Sequence, residues 1–593
     1  MLTMYAGKYL SAPLSLFISS VLFSEGVASQ STVTVSVSSS LPTGHANVVQ
    51  DNFLGISWEL SSFDTLWGKT NSTIPNAMQN YLSNFRARIS QPLRIRVGGN
   101  SMDSSTYDPD KTDTMLTITD SSYYNDEPVT FGPVFFEVLN EMADKVGEMQ
   151  FLVGLSMQQA PEDGGDDNAL LLANASEALL GSRLDAMLLG NEPDLYANHG
   201  KRVTYEISDY LPEIDYVVDN LTTGTYGDLR SSGSIGGPTI CCNWELTDVI
   251  DAGLGSLDYK YYTLQHYPDN FCSGATDTNT NISAYLTHTT VPSYTSWNSD
   301  GVLAAAEANV PILMTEFNTC SCGGSPTISP TFTATLWAVD AALSFVSSNL
   351  TAVYLHTREA GVTYNLFDPP TSGDSTETGW YTYSTYYAAL MLTEVASLNG
   401  SVIQDLNVEN SKTNASSTIA AYAIWDFSVA TDGLARSEID SSKAGLSKFV
   451  FINYSNTTAK TFVIPSNLTE TSTVATRSLV APHVNEETDI SWAGQTVGDN
   501  GDLTGDQTTE YLDCGNSGED GCVITVPGPG IVLALLDPNA SSTAGFYVGN
   551  STIAGLEGYE SSGALTSRVS QSGLLWSGVG VGLGLAGWFV EVL

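Results

Sequence analysis

Eight short apolar runs recur between residues 53 and 358, each suited to a buried strand and each followed by a longer segment. They are Phe53 to Leu60, Pro92 to Val97, Gln150 to Met157, Leu184 to Leu189, Gly233 to Gly237, Tyr259 to Tyr267, Val310 to Glu316 and Ala352 to Arg358. Strands covered on both faces read as nearly continuous apolar runs, and helix-sized segments between them make parallel crossovers. Gly132 to Val146, Gly301 to Asn309, Thr331 to Ser348 and Tyr381 to Leu398 read as such helices. The spacing predicts an α/β fold, a (β/α)8 barrel with insertions. The fifth run, short and rich in glycine, departs most from this pattern.

Near residue 400 the texture changes. Ser417 to Asp426, Lys448 to Tyr454, Lys460 to Pro465, Val474 to Val480 and Cys522 to Leu536 are β-rich runs between Ser, Thr, Asn and Gly turns. They predict an all-β sandwich. Ser31 to Ser38 alternates with a period of two and stands apart from the barrel runs. It could complete the sandwich and bring the two chain ends together. The expected organisation is a catalytic barrel over 48–398 and a β-sandwich over 30–47 plus 399–536. A Ser/Gly linker over 537–562 and a tail over 563–593 follow.

The first 29 residues have the layout of a secretory signal: Lys8, an apolar stretch from Pro13 to Phe23, and small residues at Val27-Ala28-Ser29. The apolar segment Leu574 to Val590 follows small residues at Ser561-Ser562-Gly563-Ala564, the layout of a glycolipid-anchor signal. A retained membrane span is the alternative; the many glycines, Glu591 and the lack of a basic flank favour the anchor. Twelve Asn-x-Ser/Thr sequons fit a glycosylated, extracellular protein. Seven cysteines fit an oxidising compartment; Cys514 and Cys522 are the expected bridge, and the odd number leaves room for one free thiol. Cys320-x-Cys322 has no second ligand pair at metal spacing. No metal or cofactor is implied.

Lys plus Arg number 21 against 65 Asp plus Glu, a formal charge of -44. Such a surface repels nucleic acid and polyanionic polymers, so neither is an expected partner, and a membrane enters only through the anchor.

Two acids end strand-like runs. Glu192 lies in Gly190-Asn-Glu-Pro193 and Glu316 in Thr315-Glu-Phe-Asn318. Alone, Glu192 could belong to a turn that caps a strand, and Glu316 could be a structural cap or an ion-pair partner of Arg94 or Arg96. Proline disfavours the helical region for the residue before it, so Glu192 is expected in extended backbone. Together, at the ends of the fourth and seventh runs of one barrel, the acids supply what glycoside hydrolysis needs. Glu192 would protonate the leaving oxygen and then act as base, and Glu316 would attack the anomeric carbon. Their surroundings must hold their proton affinities apart.

With Arg96-Val-Gly-Gly-Asn100, Gln265-His-Tyr267 and Pro527-Gly-Pro-Gly530, these motifs resemble glycoside hydrolase family 79. This is the β-glucuronidase and heparanase family, within the clan of retaining barrel glycosidases. The resemblance covers about residue 30 to 536. It implies that Asn191 grips the sugar 2-hydroxyl, that Tyr267 and Arg96 orient Glu316, and that Asn100 contacts substrate. It maps the donors for a glucuronate carboxylate loosely onto Ser321, Cys322, Gly323 and Tyr364. A disulfide-stapled turn is the plain alternative for 321–323. His266 and His356 lie at strand ends and could line the cleft or simply pack. The low count of basic residues favours an exo-acting β-glucuronidase over an endo-enzyme on sulfated glycosaminoglycan. Other clan sugars and a non-catalytic glycan-binding barrel are the alternatives.

Overall fold

The computed structural model describes residues 32–536, apart from 43–46, 122–126, 159–166, 230–234, 371–377, 470–472 and 516–520. The expected signal segment, linker and C-terminal tail lie outside the described residues.

Eight parallel strands close into a barrel: Leu54–Glu59, Leu93–Gly98, Met149–Leu155, Leu184–Leu189, Ile235–Ile240, Tyr261–His266, Ile312–Phe317 and Ala352–Thr357. Seven fall where the apolar runs place them. The fifth is shifted toward the C-terminus relative to Gly233 to Gly237. Its Gly236-Gly237-Pro238 looks like turn chemistry, yet it sits inside the strand. A Cβ on Gly236 would come within 2.9 Å of Leu188 on the neighbouring strand, so the glycine is there for close packing. Helices Val134–Val146, Ser299–Glu307 and Phe332–Ser347 lie where expected, whereas the last is shorter, Ser384–Leu392. Tyr381 instead pairs with Asp368 in a two-stranded ribbon.

Strand side chains alternate between the lumen and the outer layer. Leu152, Ala186, Leu188, Tyr261, Leu313, Ala352 and Tyr354 form a small buried cluster separate from the main core. They plug the lumen. Toward the strand ends inward positions turn polar: His356, two residues after Tyr354, Gln265, four after Tyr261, and Arg96 on the second strand are all nearly inaccessible. A lumen that is oily below and charged above is the platform for the site.

The C-terminal part is a two-sheet sandwich. One sheet runs Ser401–Asp405, Ile419–Phe427, Ala444–Asn453, Gly530–Leu535, Thr473–Val480 and Ser491–Trp492, with Glu510–Asp513 also on Thr473–Val480. The other has Thr32–Thr34 paired in parallel with Lys460–Pro465, which pairs with Gly521–Val526. The N-terminal strand therefore does complete the sandwich. The run Cys522 to Leu536 is two strands in different sheets, because Pro527-Gly-Pro-Gly530 breaks it. Ser401–Asp405 and Glu510–Asp513 are additional strands.

One strand shows how the parts join. Ile419, Ala421, Ala423 and Trp425 belong to the sandwich core, while Ala420, Tyr422 and Ile424 belong to the core shared with the barrel. A polar clamp sits in that seam. His288 Nδ1 is 2.8 Å from Asp340 Oδ2 and its Nε2 is 2.8 Å from Asp405 Oδ2, with both ring nitrogens facing carboxylates. Tyr422 and Tyr454 also donate to Asp340. Burial alone would lower the imidazole's proton affinity, but Asp340 and Asp405 outweigh it and push its pKa up to about 10.

Raised above its ordinary value of about 6.5, this group stabilises the fold fully below that pH and loses the contribution as pH rises toward 10. His288→Leu is expected to cost about 3 kcal/mol or more, since it strands two buried carboxylates. In thermal unfolding, its Tm deficit relative to the parent protein should be largest near pH 6 and shrink toward pH 10.

Candidate active site

The site occupies the C-terminal rim of the barrel, where this architecture gathers functional side chains. At its centre is Arg96, only 1% exposed. Its Nη1 donates to Glu316 Oε2 at 2.9 Å and to Ser57 Oγ at 3.0 Å, and its Nη2 donates to Asn191 Oδ1 at 2.6 Å. One side chain thus ties the first, second and seventh strands to the turn after the fourth. Tyr267 donates its hydroxyl to Glu316 Oε1 at 2.7 Å. Arg96, Asn191, Tyr267 and Glu316 therefore lie together.

Ser57 Oγ also lies 3.0 Å from His356 Nδ1. His356 Nε2 is 3.6 Å from both Glu316 Oε1 and Glu59 Oε2. Of the two histidines noted in the sequence, His356 lines the site. His266 instead stacks between Tyr294 and Trp297 at 5.0 and 4.3 Å, and burial pushes its pKa down to about 4.

Glu59 is a third buried carboxylate at the rim. Burial opposes its charge, but the hydrogen bond from His356, the nearby Arg358 and the donors of Ser101 prevail, holding its carboxyl at about 2. Ser101 donates its N–H at 2.6 Å and its hydroxyl at 2.5 Å. Gly99 has φ +78, and a Cβ there would collide with this carboxylate at 2.1 Å. The second glycine of Arg96-Val-Gly-Gly-Asn100 is thus fixed by Glu59.

Glu192 stands opposite in character. The fourth strand ends at Leu189, and Glu192 has φ 49 and ψ 53, the left-handed region, not the extended backbone expected before proline. The cause is tertiary: its N–H donates to Thr239 O at 3.1 Å, at the end of the fifth strand. A non-glycine residue held there is strained, a common mark of functional turns. Two residues on, Asp194 accepts from the N–H groups of Cys242 and Asn243, both at 2.8 Å, and locks the following loop against this turn. The Glu192 carboxyl is buried. Burial, then the charge of Glu316, then that of Asp194 raise its pKa to about 8, with Lys201 and a 3.4 Å hydrogen bond from Asn100 acting against the rise. The Gln265 amide lies 2.9 Å from Asn191 Oδ1 and 3.0 Å from Glu192 Oε1. With its nitrogen toward Glu192 it donates to that carboxylate.

The loop after the seventh strand is stapled by a Cys272–Cys322 disulfide. Cys514–Cys522 is bridged as expected, Cys241 and Cys242 are joined to each other, and Cys320 is the buried free thiol. Ser321 donates its N–H to Asp269 O, which leaves its hydroxyl as the donor it could offer a ligand. Cys322 and Gly323 both have positive φ, 59 and 94. Among the described residues no protein acceptor takes their N–H groups. Tyr364 lies buried beside Tyr267, ring centres 6.3 Å apart. Arg358, next inward after His356, pairs through Nε with Glu359 at 3.1 Å, and its buried Nη2 has no partner. Glu59, Gln265, Arg358 and Asp194 were not foreseen. Only Arg358 carried a usable sign, its two-residue spacing from His356.

The family model described as the glycosyl hydrolase family 79 C-terminal beta domain matches residues 439–533. The chain is similar to a β-glucuronidase of Aspergillus niger, 28% identical over 497 residues, covering 78% of this chain and 86% of that protein. It is also similar to a β-glucuronidase of Neurospora crassa, 27% identical over 336 residues, or 53% and 58% of the two chains. Among solved structures, a 4-O-α-L-rhamnosyl-β-D-glucuronidase of Fusarium oxysporum matches with a TM-score of 0.67 at 21% identity, covering 85% of this chain and all of that one. A family 51 α-L-arabinofuranosidase of Bifidobacterium longum matches with a TM-score of 0.54 at 13% identity, covering 85% and 99%. Barrel, sandwich and paired rim acids define a glycoside hydrolase. The sandwich matches the family 79 C-terminal domain, and the chain as a whole is similar to β-glucuronidases.

The contrast between the acids is directly measurable. Infrared difference spectra between pH 6 and pH 9.5 should show loss of a protonated carboxyl band with a midpoint near pH 8, and Glu192→Gln should abolish that band.

Proposed function

We propose that this chain is a retaining exo-β-glucuronidase that removes terminal glucuronic acid, or its 4-O-methyl form, from glycoconjugates. The observation that carries the proposal is the pair of buried carboxyls in unlike surroundings. Glu192 is in a setting that keeps a proton near neutrality, and Glu316 faces Arg96 and Tyr267. In the first step Glu316 attacks the anomeric carbon while Glu192 gives its proton to the departing oxygen. In the second, Glu192 takes a proton from water, and that water displaces Glu316 from the sugar. Asn191, its oxygen pinned by Arg96, turns its amide nitrogen toward the position of the sugar 2-hydroxyl.

The sugar assignment draws support from the two curated relatives, both β-glucuronidases. It also rests on donors at the rim: Tyr364 beside Tyr267, the unpartnered Arg358 Nη2, and the N–H groups of Cys322 and Gly323 in the loop that Thr363 joins through Gly323 O at 3.1 Å. Backbone N–H groups at successive left-handed residues suit an anion, and a buried guanidinium nitrogen without a partner lacks an acceptor. With 21 basic residues against 65 acidic ones, the chain is poorly suited to gripping a long polyanion. Three disulfides among the described residues and the twelve sequons support secretion; anchoring at the cell surface is part of the same proposal.

A screen of p-nitrophenyl glycosides should give the glucuronide as best substrate, with heparan sulfate not shortened; the reverse outcome would remove the assignment. Glu316→Gln should lose nearly all turnover. The alkaline limb of kcat/KM should fall tenfold per pH unit above about 8, because the acid must be protonated in the free enzyme. Arg358→Met should lower the glucuronide-to-glucoside ratio of kcat/KM by about 10- to 100-fold, the worth of a hydrogen bond to a charged group, while leaving glucoside hydrolysis little changed.

A further inference from the structure

The reaction proposed above gives no part to Lys201, yet this lysine is built into the rim. It lies in the loop that leaves the Glu192 turn and doubles back, its N–H donating to Tyr196 O at 2.9 Å. Its side chain is only 5% exposed, and lysine is rarely buried without a partner. Its Nζ is 3.6 Å from Asp103 Oδ2, 5.4 Å from the centre of the Tyr196 ring and 3.4 Å from Asn100 Oδ1. Asp103 is itself held, accepting from the Tyr196 hydroxyl at 2.5 Å and from the Met157 N–H at 3.0 Å.

A guanidinium and an ammonium can only donate hydrogen bonds, and this sets the direction of every amide between them. Arg96 Nη2 takes the oxygen of Asn191, which turns Asn191 Nδ2 toward Asn100 at 3.4 Å. Lys201 and Asn191 thus present hydrogens to the same atom of Asn100, which must be its oxygen. The nitrogen of Asn100 is then the atom that faces Glu192 Oε2, at 3.4 Å. Turned over, Asn100 would set an oxygen against that carboxylate and disfavour its charge. The charged and titratable groups around Glu192 are Glu316 from the seventh strand, Asp194 of its own turn, Tyr267 after the sixth strand, Arg96, which is paired with Glu316, and Lys201. Lys201 is the cation that opposes burial and the two acids there.

We propose that Lys201 is a positioning residue for the acid/base: it holds the Asn100 amide with its nitrogen toward Glu192 and keeps that carboxyl able to release its proton. The proposal rests on the reading of Glu192 as acid/base, whose proton must leave readily near the working pH.

The infrared titration of the Glu192 carboxyl tests it in the full-length protein without any substrate. In Lys201→Met the midpoint, near pH 8 in the parent, should rise by roughly 1 pH unit. Lys201→Arg, which keeps the charge, should restore most of that shift. Lys201→Ala, which leaves room for water beside Asp103, is the second variant with the same expectation should Lys201→Met fail to fold. Asn100→Ala should raise the midpoint in the same direction, through loss of the donor. An unmoved midpoint in the folded Lys201 variants or in Asn100→Ala overturns the proposal, as does a rise as large in Lys201→Arg as in Lys201→Met. The alkaline limb of kcat/KM should follow the infrared midpoint. An infrared shift that the limb does not follow supports the role of Lys201 and counts instead against Glu192 as the acid.

Discussion

The guanidinium of Arg96 is the interaction on which the rest of the site depends. It is buried, and it touches Glu316, Ser57 and Asn191 within 3.0 Å. A buried ion pair gains little net stability, because both charges are taken out of water. Its value here is in placement. Ser57 is held between Arg96 and His356, whose Nε2 faces both Glu59 and Glu316. Asn191 is fixed with its oxygen inward, which turns its nitrogen outward. Few conformations satisfy all these partners together.

Charge states on the rim follow from how donors are distributed. Glu59 and Glu316 receive the strong donors, from Ser101, Arg96, Tyr267 and His356. Glu192 is left with a long contact from Asn100 and the Gln265 amide, in the same buried pocket and next to another carboxylate. Glu59 and Glu192, of similar intrinsic strength, are held at about 2 and about 8 by their neighbours alone. The sharp turn contributes too: Thr239 and Asp194 tie the Glu192 segment to the fifth strand, so its carboxyl cannot swing toward solvent and lose the effect.

What could be read in the chain depended on the range of the forces involved. Barrel strands were legible because burial on both faces makes continuous apolar runs, and seven of the eight needed nothing more. The fifth was displaced, since Gly236 answers to Leu188 on a neighbouring strand and not to local preference. Glu192 was misjudged for the same reason: proline disfavours a helical residue before it, but a hydrogen bond to Thr239 selects the left-handed alternative over the extended one. Ser401–Asp405 and Glu510–Asp513 escaped notice because strands with polar or exposed residues carry no apolar run. Arg96, Tyr267 and Glu316 were brought together as expected, because a closed barrel gathers the rim ends of the second, sixth and seventh strands around one mouth.

The relation between the two rim acids has a stereochemical consequence. If Glu316 bonds to the anomeric carbon before water does, the two displacements restore the original configuration. Proton NMR of the anomeric signal during rapid hydrolysis of a β-glucuronide, before mutarotation scrambles the product, reads this outcome. The β-anomer of the freed sugar should appear first; the α-anomer appearing first would show that water attacks directly and would contradict a covalent role for Glu316.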